Sequence, residues 1–202
     1  MNYKYLALGD SYTIGEQVPL HDSFPYQTIQ ILRQAHGNQH EFYPPEIIAK
    51  TGWTTDELDA QIIQTQFLSE YDFVSLLIGV NNQYRGRNVE NYKSEFHALL
   101  KKAIQFSGNR SNRVFVLSIP DWSITPFAAE RDQAQIAAEI DEYNQACRYI
   151  AESENVQFID ITASQRADGT DPSFIATDGL HPSGLEYAKW AKALSASITK
   201  SL

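Results

Sequence analysis

Three residues far apart in the chain carry side chains that do covalent chemistry together. Ser11 closes the run Leu8-Gly9-Asp10-Ser11, while Asp178 and His181 stand three residues apart in Asp178-Gly179-Leu180-His181-Pro182. A hydroxyl becomes a nucleophile when an imidazole takes its proton, and the imidazole does so best when a carboxylate orients its other nitrogen. A three-residue spacing on a turn lets Asp178 supply that carboxylate directly. Two other stretches offer donors to a developing oxyanion. Gly79-Val80-Asn81-Asn82 carries a side-chain amide at Asn81, and Lys50-Thr51-Gly52-Trp53 a backbone N–H at Gly52. The N–H of Ser11, at a strand-to-helix turn, is a third. Each fragment has a plainer reading: serine before a helix caps it, and Gly–Asn pairs mark turns. Together they point to acyl chemistry, provided the fold gathers them.

The elements between them are arranged to do so. Residues 3–8, 46–50, 73–78, 114–119 and 156–161 are short, apolar and rich in β-branched side chains, as buried parallel strands are. Helical spacing fills the gaps. Val89, Tyr92, Phe96, Leu99 and Ala103 form one stripe, and Leu185, Ala188, Ala191, Leu194 and Ile198 another. Thr54-Thr55-Asp56-Glu57 has the capping-box pattern, before a helix expected to reach about Phe67. Strict alternation predicts one α/β domain over residues 1–202, a three-layer α/β/α sandwich around a five-stranded parallel sheet. Ligands gather beyond the carboxyl ends of such strands. The loops there carry Ser11, Gly52, Asn81, Asp121 and the approach to His181.

Composition narrows the function further. A formal charge of -9 over 202 residues disfavours nucleic acid and anionic membrane as partners. No apolar run approaches the roughly 20 residues that span a bilayer, so no stable membrane insertion is expected. Met1-Asn2-Tyr3-Lys4 leads straight into the first strand, which reads as a cytoplasmic chain. The single Cys147 has no disulfide partner within the chain and reads as a packed thiol. No cofactor or metal is expected. Gly37-Asn38 breaks the helix that would align His36 with His40, and Asp168-Gly169-Thr170-Asp171 lacks the later ligands of a calcium loop and reads as a solvated turn. Gly9-Asp10-Ser11-Tyr12-Thr13 lacks the second glycine of a G-x-S-x-G elbow, and neither Gly9 nor Gly15 opens a phosphate loop. Trp53, Tyr84, Trp122 and Phe127 collect in the loops; the first three are the candidate substrate-binding residues. Arg85 and Arg87 read as a solvated face.

These blocks, in this order, resemble the SGNH (GDSL) hydrolases across nearly the whole chain: Ala7-Leu8-Gly9-Asp10-Ser11-Tyr12, then Gly52, then Gly79-Val80-Asn81-Asn82, then Asp178-Gly179-Leu180-His181. The resemblance implies a flavodoxin-like strand order, 2-1-3-4-5. It makes Ser11 the nucleophile, His181 the base, Asp178 its orienting carboxylate, and Ser11, Gly52 and Asn81 the oxyanion donors. Asn82 departs from the pattern, since the family usually has Asp there; a structural consequence is expected more than a catalytic one. The implied function is a serine hydrolase acting on a carboxylic ester of a small molecule, carbohydrate or lipid. No long apolar lid lies between Tyr12 and Phe24, which favours acetyl or other short acyl esters; lysophospholipid-type esters stay open. Acyl transfer through the same acyl-enzyme and a silent carbohydrate-binding module on the same fold are the alternatives.

Overall fold

The structure is a computed structural model that describes residues 1–168 and 171–202. Gly169 and Thr170, in the middle of the turn compared above with a calcium loop, lie outside the described residues. Five strands form the central sheet: β1 (Tyr5–Asp10), β2 (Glu46–Lys50), β3 (Phe73–Leu77), β4 (Val114–Leu117) and β5 (Gln157–Ile159). Every pairing is parallel and the order is β2-β1-β3-β4-β5, the flavodoxin-like arrangement. Tyr3, expected at the head of β1, instead pairs with Phe42, and Asn2 with Glu41, in a separate two-stranded ribbon. β1 itself therefore runs on to Asp10, which places Ser11 immediately past its end.

β1, β3 and β4 are buried along their whole length, which requires a helix layer on each face. α1 (Phe24–His36) packs against α5 (Gly184–Thr199), while α3 (Val89–Phe106) packs between α2 (Thr55–Gln64) and α4 (Gln133–Ser153). β4 is shorter than its apolar run because the next residues leave the ladder. Ser118 turns its hydroxyl to the N–H groups of Ile161 and Thr162, and Ile119 is held by Asn144 through both its N–H and its carbonyl. α2 stops at Gln64 rather than near Phe67. Thr65 is extended, and the Phe67 ring leaves the helix line to pack 4.3 Å from Phe106.

The apolar stripe of α5 agrees with the expected one at Ala191, Leu194 and Ile198 and departs from it only nearer the N-terminus. Leu185 is exposed, and the buried face is Tyr187, Trp190, Ala191, Leu194 and Ile198. Glu186 disguises this face because it is buried as well, its carboxylate accepting the Trp190 indole N–H at 2.9 Å and pairing with Lys189. His36 is the last residue of α1 and His40 lies beyond Gly37, its ring edge-on to Tyr3. Among the described residues no cluster of three His, Cys, Asp or Glu is placed to hold a metal, and no helix is long and apolar enough to cross a membrane. Cys147 is buried in α4, and burial pushes its thiol up to about 12, which keeps it protonated and unreactive.

Candidate active site

Ser11 opens a single helical turn, Ser11–Ile14, that bends the chain sharply away from β1. Asp10 caps this turn by accepting the Tyr12 N–H at 3.1 Å, and Gly15 ends it with φ +73°. Gly9 permits the close approach: a Cβ there would run into the Thr13 hydroxyl and the Leu77 carbonyl. Because Asp10 is in register with Lys50 and Gly9 with Leu77, the loops after β2 and β3 emerge on either side of Ser11.

The β2 loop is a tight turn. Trp53 N–H donates to the Lys50 carbonyl at 3.2 Å, and Gly52 occupies the third position with φ +83°, the conformation a type II turn demands there. The turn does not consume the Gly52 N–H. Arg85 donates to the Gly52 carbonyl at 2.6 Å and pairs with Glu57, and Arg87 pairs with Asp56 at 2.6 Å. These arginines are therefore not a free solvated face; they pin the loop.

In the β3 loop, Gly79 (φ +136°) starts the short helix Val80–Tyr84. Asn81 donates through Nδ2 to the Trp53 carbonyl at 3.0 Å, and the same nitrogen lies 3.5 Å from Asp10 Oδ2. Asn82 is fully buried; its Oδ1 accepts the Thr55 N–H at 3.1 Å and its Nδ2 donates to the Thr55 hydroxyl at 2.6 Å, which in turn donates to Glu95. A carboxylate could accept from the N–H but could not donate to the hydroxyl. The amide thus ties the start of α2 to the Asn81 loop, a structural role.

The remaining two residues arrive from the other end of the chain. Ile175 and Pro182 form an antiparallel bridge, Ala176 N–H donates to the His181 carbonyl at 2.8 Å, and Gly179 turns the tip with φ +72°. Asp178 Oδ1 accepts the N–H groups of Leu180 and His181, each at 3.0 Å, and Oδ2 lies 2.6 Å from His181 Nδ1. His181 Nε2 lies 3.0 Å from Ser11 Oγ, across 170 residues of sequence. With Nδ1–H donating to Asp178, Nε2 is left to accept the Ser11 hydroxyl. Partial burial pulls the Asp178 pKa upward, but the imidazole and the two N–H groups outweigh it and hold the carboxyl below its ordinary value. Asp10, fully buried, goes the other way: burial pushes it up to about 7 against the pull of its hydrogen bonds.

A cavity of about 210 Å³ opens over Ser11 and His181, and Gly52, Asn81, Tyr84, Trp122 and Phe127 also line it. Tyr84 and Trp122 thus stand where the sequence placed them. Trp53 does not: its ring packs against the apolar core, and only its carbonyl serves the site. Asp121 is not at the rim; it is buried, accepting from Arg166 at 2.7 Å and from the Ser123 N–H. Tyr12, Thr51, Val80 and Leu180 also line the cavity. Each is the chain neighbour of a motif residue, which is the signal that could have found them.

A doubly wound parallel sheet with a hydroxyl, an imidazole and a carboxylate in line beyond its strand ends has the build of an α/β hydrolytic enzyme. The chain matches the GDSL-like lipase/acylhydrolase family over residues 7–189. It belongs to that family, and with it to the carboxylic ester hydrolases. No curated protein matches it by sequence. Among solved structures it is similar to a lipase/acylhydrolase from Enterococcus faecalis, at 19% identity and TM-score 0.77, covering 99% of this chain and 97% of that one. An acetylxylan esterase from Geobacillus stearothermophilus gives 19% identity and TM-score 0.75 over 97% and 94% of the two chains. An α/β hydrolase from the metagenome of Lake Arreo, Spain, gives 19% and 0.74 over 98% and 95%.

Proposed function

We propose that this chain, as one domain over residues 1–202, is a serine esterase for short acyl groups. Ser11 Oγ attacks the ester carbonyl while His181 Nε2 takes its proton, and Asp178 steadies the imidazolium that forms. The oxyanion is met by the N–H groups of Ser11 and Gly52 and by Asn81 Nδ2, which exchanges its long 3.5 Å contact with Asp10 for the oxyanion while keeping the Trp53 carbonyl. His181 then hands its proton to the departing alcohol, leaving an acyl-enzyme. Water, deprotonated by the same imidazole, releases the acid and restores Ser11.

The observation that carries this reading is the continuous relay from Asp178 through His181 to Ser11, at 2.6 and 3.0 Å. The cavity supports the short-acyl part. Its 210 Å³ falls below the ~300 Å³ at which drug-sized pockets begin. An acetyl group and part of its alcohol fill it, and a longer chain would have to extend past its open mouth. The likeness to an acetylxylan esterase makes acetylated sugars a natural first substrate class to assay.

Ser11→Ala is the test. It should lower p-nitrophenyl acetate hydrolysis by about 10⁶ with an unchanged circular dichroism spectrum, and a fluorophosphonate probe should label the parent protein but not the variant. Turnover that survives the substitution overturns the assignment.

A further inference from the structure

We propose that Arg131 is a specificity latch: its guanidinium fixes the aromatic wall of the cavity and so limits the size of ester admitted. The inference rests on the esterase reading above. The guanidinium carbon lies 5.2 Å from the Tyr84 ring centroid, 5.4 Å from Trp122 and 5.2 Å from Phe127, and Nη2 donates to the Tyr84 hydroxyl at 3.3 Å. The rings touch one another as well, with centroids 5.4, 6.3 and 5.9 Å apart. They come from two loops. Tyr84 ends the helical turn after β3, and Trp122 and Phe127 belong to consecutive 3₁₀ turns after β4. Among the described residues Arg131 forms no ion pair, so the rings and one hydroxyl are its partners. A planar guanidinium lies against several aromatic rings at once, which a lysine ammonium on its flexible stem does less well.

The three rings are not equally held. Trp122 is buried and its indole N–H donates to Gln83 at 2.8 Å, while Gln83 donates to Glu139 at 2.7 Å. The Phe127 backbone is anchored too, donating to the Gly179 carbonyl at 3.0 Å in the turn that bears Asp178 and His181. The Tyr84 and Phe127 side chains, however, are 47% and 40% exposed, and the Tyr84 hydroxyl bonds Arg131. Removing the guanidinium therefore frees these two rings and leaves Trp122 in place. Since all three line the cavity and their centroids cluster within 6.3 Å of one another, freeing two of them widens it.

The test compares the parent protein with Arg131→Ala and Arg131→Lys on two series: p-nitrophenyl esters from acetate to octanoate, and acetates of increasingly bulky alcohols. In one series or the other, the kcat/KM of the largest ester relative to p-nitrophenyl acetate should rise at least tenfold in Arg131→Ala. The gain should come mainly through KM, with Arg131→Lys in between. Ratios within twofold of the parent in both series overturn the latch. Ring proton NMR shifts of Tyr84 and Phe127 give a readout independent of turnover: they should move toward unstructured values in Arg131→Ala, and unchanged shifts also overturn it. A parent protein that turns over no ester defeats the esterase reading, and the NMR shifts still decide the latch.

Discussion

Replacing Asp10 by asparagine should make stability less sensitive to pH, by an amount the structure fixes. The Asp10 carboxyl is fully buried beside the nucleophile, and its contacts are the Tyr12 N–H at 3.1 Å and the Asn81 amide at 3.5 Å. No cation pairs with it among the described residues, so burial dominates and its pKa rises from 3.8 to about 7. In the unfolded chain the carboxyl returns to about 3.9. Between about pH 4 and 7 the native state thus holds a proton that the unfolded state has released, and stability falls as pH rises through that window. The full gap is worth about 4 kcal/mol, a large part of the roughly 5–15 kcal/mol that keeps a domain folded.

Asparagine keeps the size and the acceptor for Tyr12 but cannot ionise. Urea unfolding of both proteins at pH 5, 6, 7 and 8 gives the difference in stability at each pH. That difference should shift in favour of Asp10→Asn by about 2–3 kcal/mol from pH 5 to pH 8. Any fixed cost of facing an amide toward Asn81 cancels in the comparison across pH. A difference that stays flat across the range refutes the reasoning, because the carboxyl would then titrate as a solvated one does.

Two further substitutions probe the loops around Ser11. Asn81→Ala removes one of the proposed oxyanion donors, so kcat for p-nitrophenyl acetate should fall by about 10²–10³ with little change in KM, as steady-state kinetics will read. Asn82→Asp restores the residue the family usually carries but takes away the donor to Thr55 at 2.6 Å and buries a carboxylate. It should lower stability by about 1–3 kcal/mol at pH 8 and by less at pH 5, where the acid is protonated; urea midpoints at the two pH values measure it.

Much of this architecture could be read from the chain because its signals are local. Strand runs bounded by turns, and a histidine three residues after an aspartate, declare themselves within a few positions. What escaped was what depends on distant partners. Burial of Glu186 depends on Trp190 and Lys189, and the first turns of α5 accordingly bury Tyr187 and Trp190 rather than Leu185. Arg85 looked like a solvated charge, yet its partner is the Gly52 carbonyl, 33 residues away in sequence. Trp53 lay in the right loop, but a type II turn sends its carbonyl, not its ring, toward the site. Arg131 had no motif at all; only the folded chain brings the rings of two loops under it.

The hydrogen bond that joins Ser11 to His181 spans 170 residues, and this has a consequence for how the protein comes into being. On the proposed mechanism, the nucleophile and oxyanion donors leave the ribosome first, while the base and its carboxylate follow well after them. A nascent chain that stops short of residue 181 can build all five strands and still lack the group that removes the Ser11 proton. By that mechanism, hydrolytic competence arrives only once residue 181 has been made, and a polypeptide that stops before it stays chemically quiet.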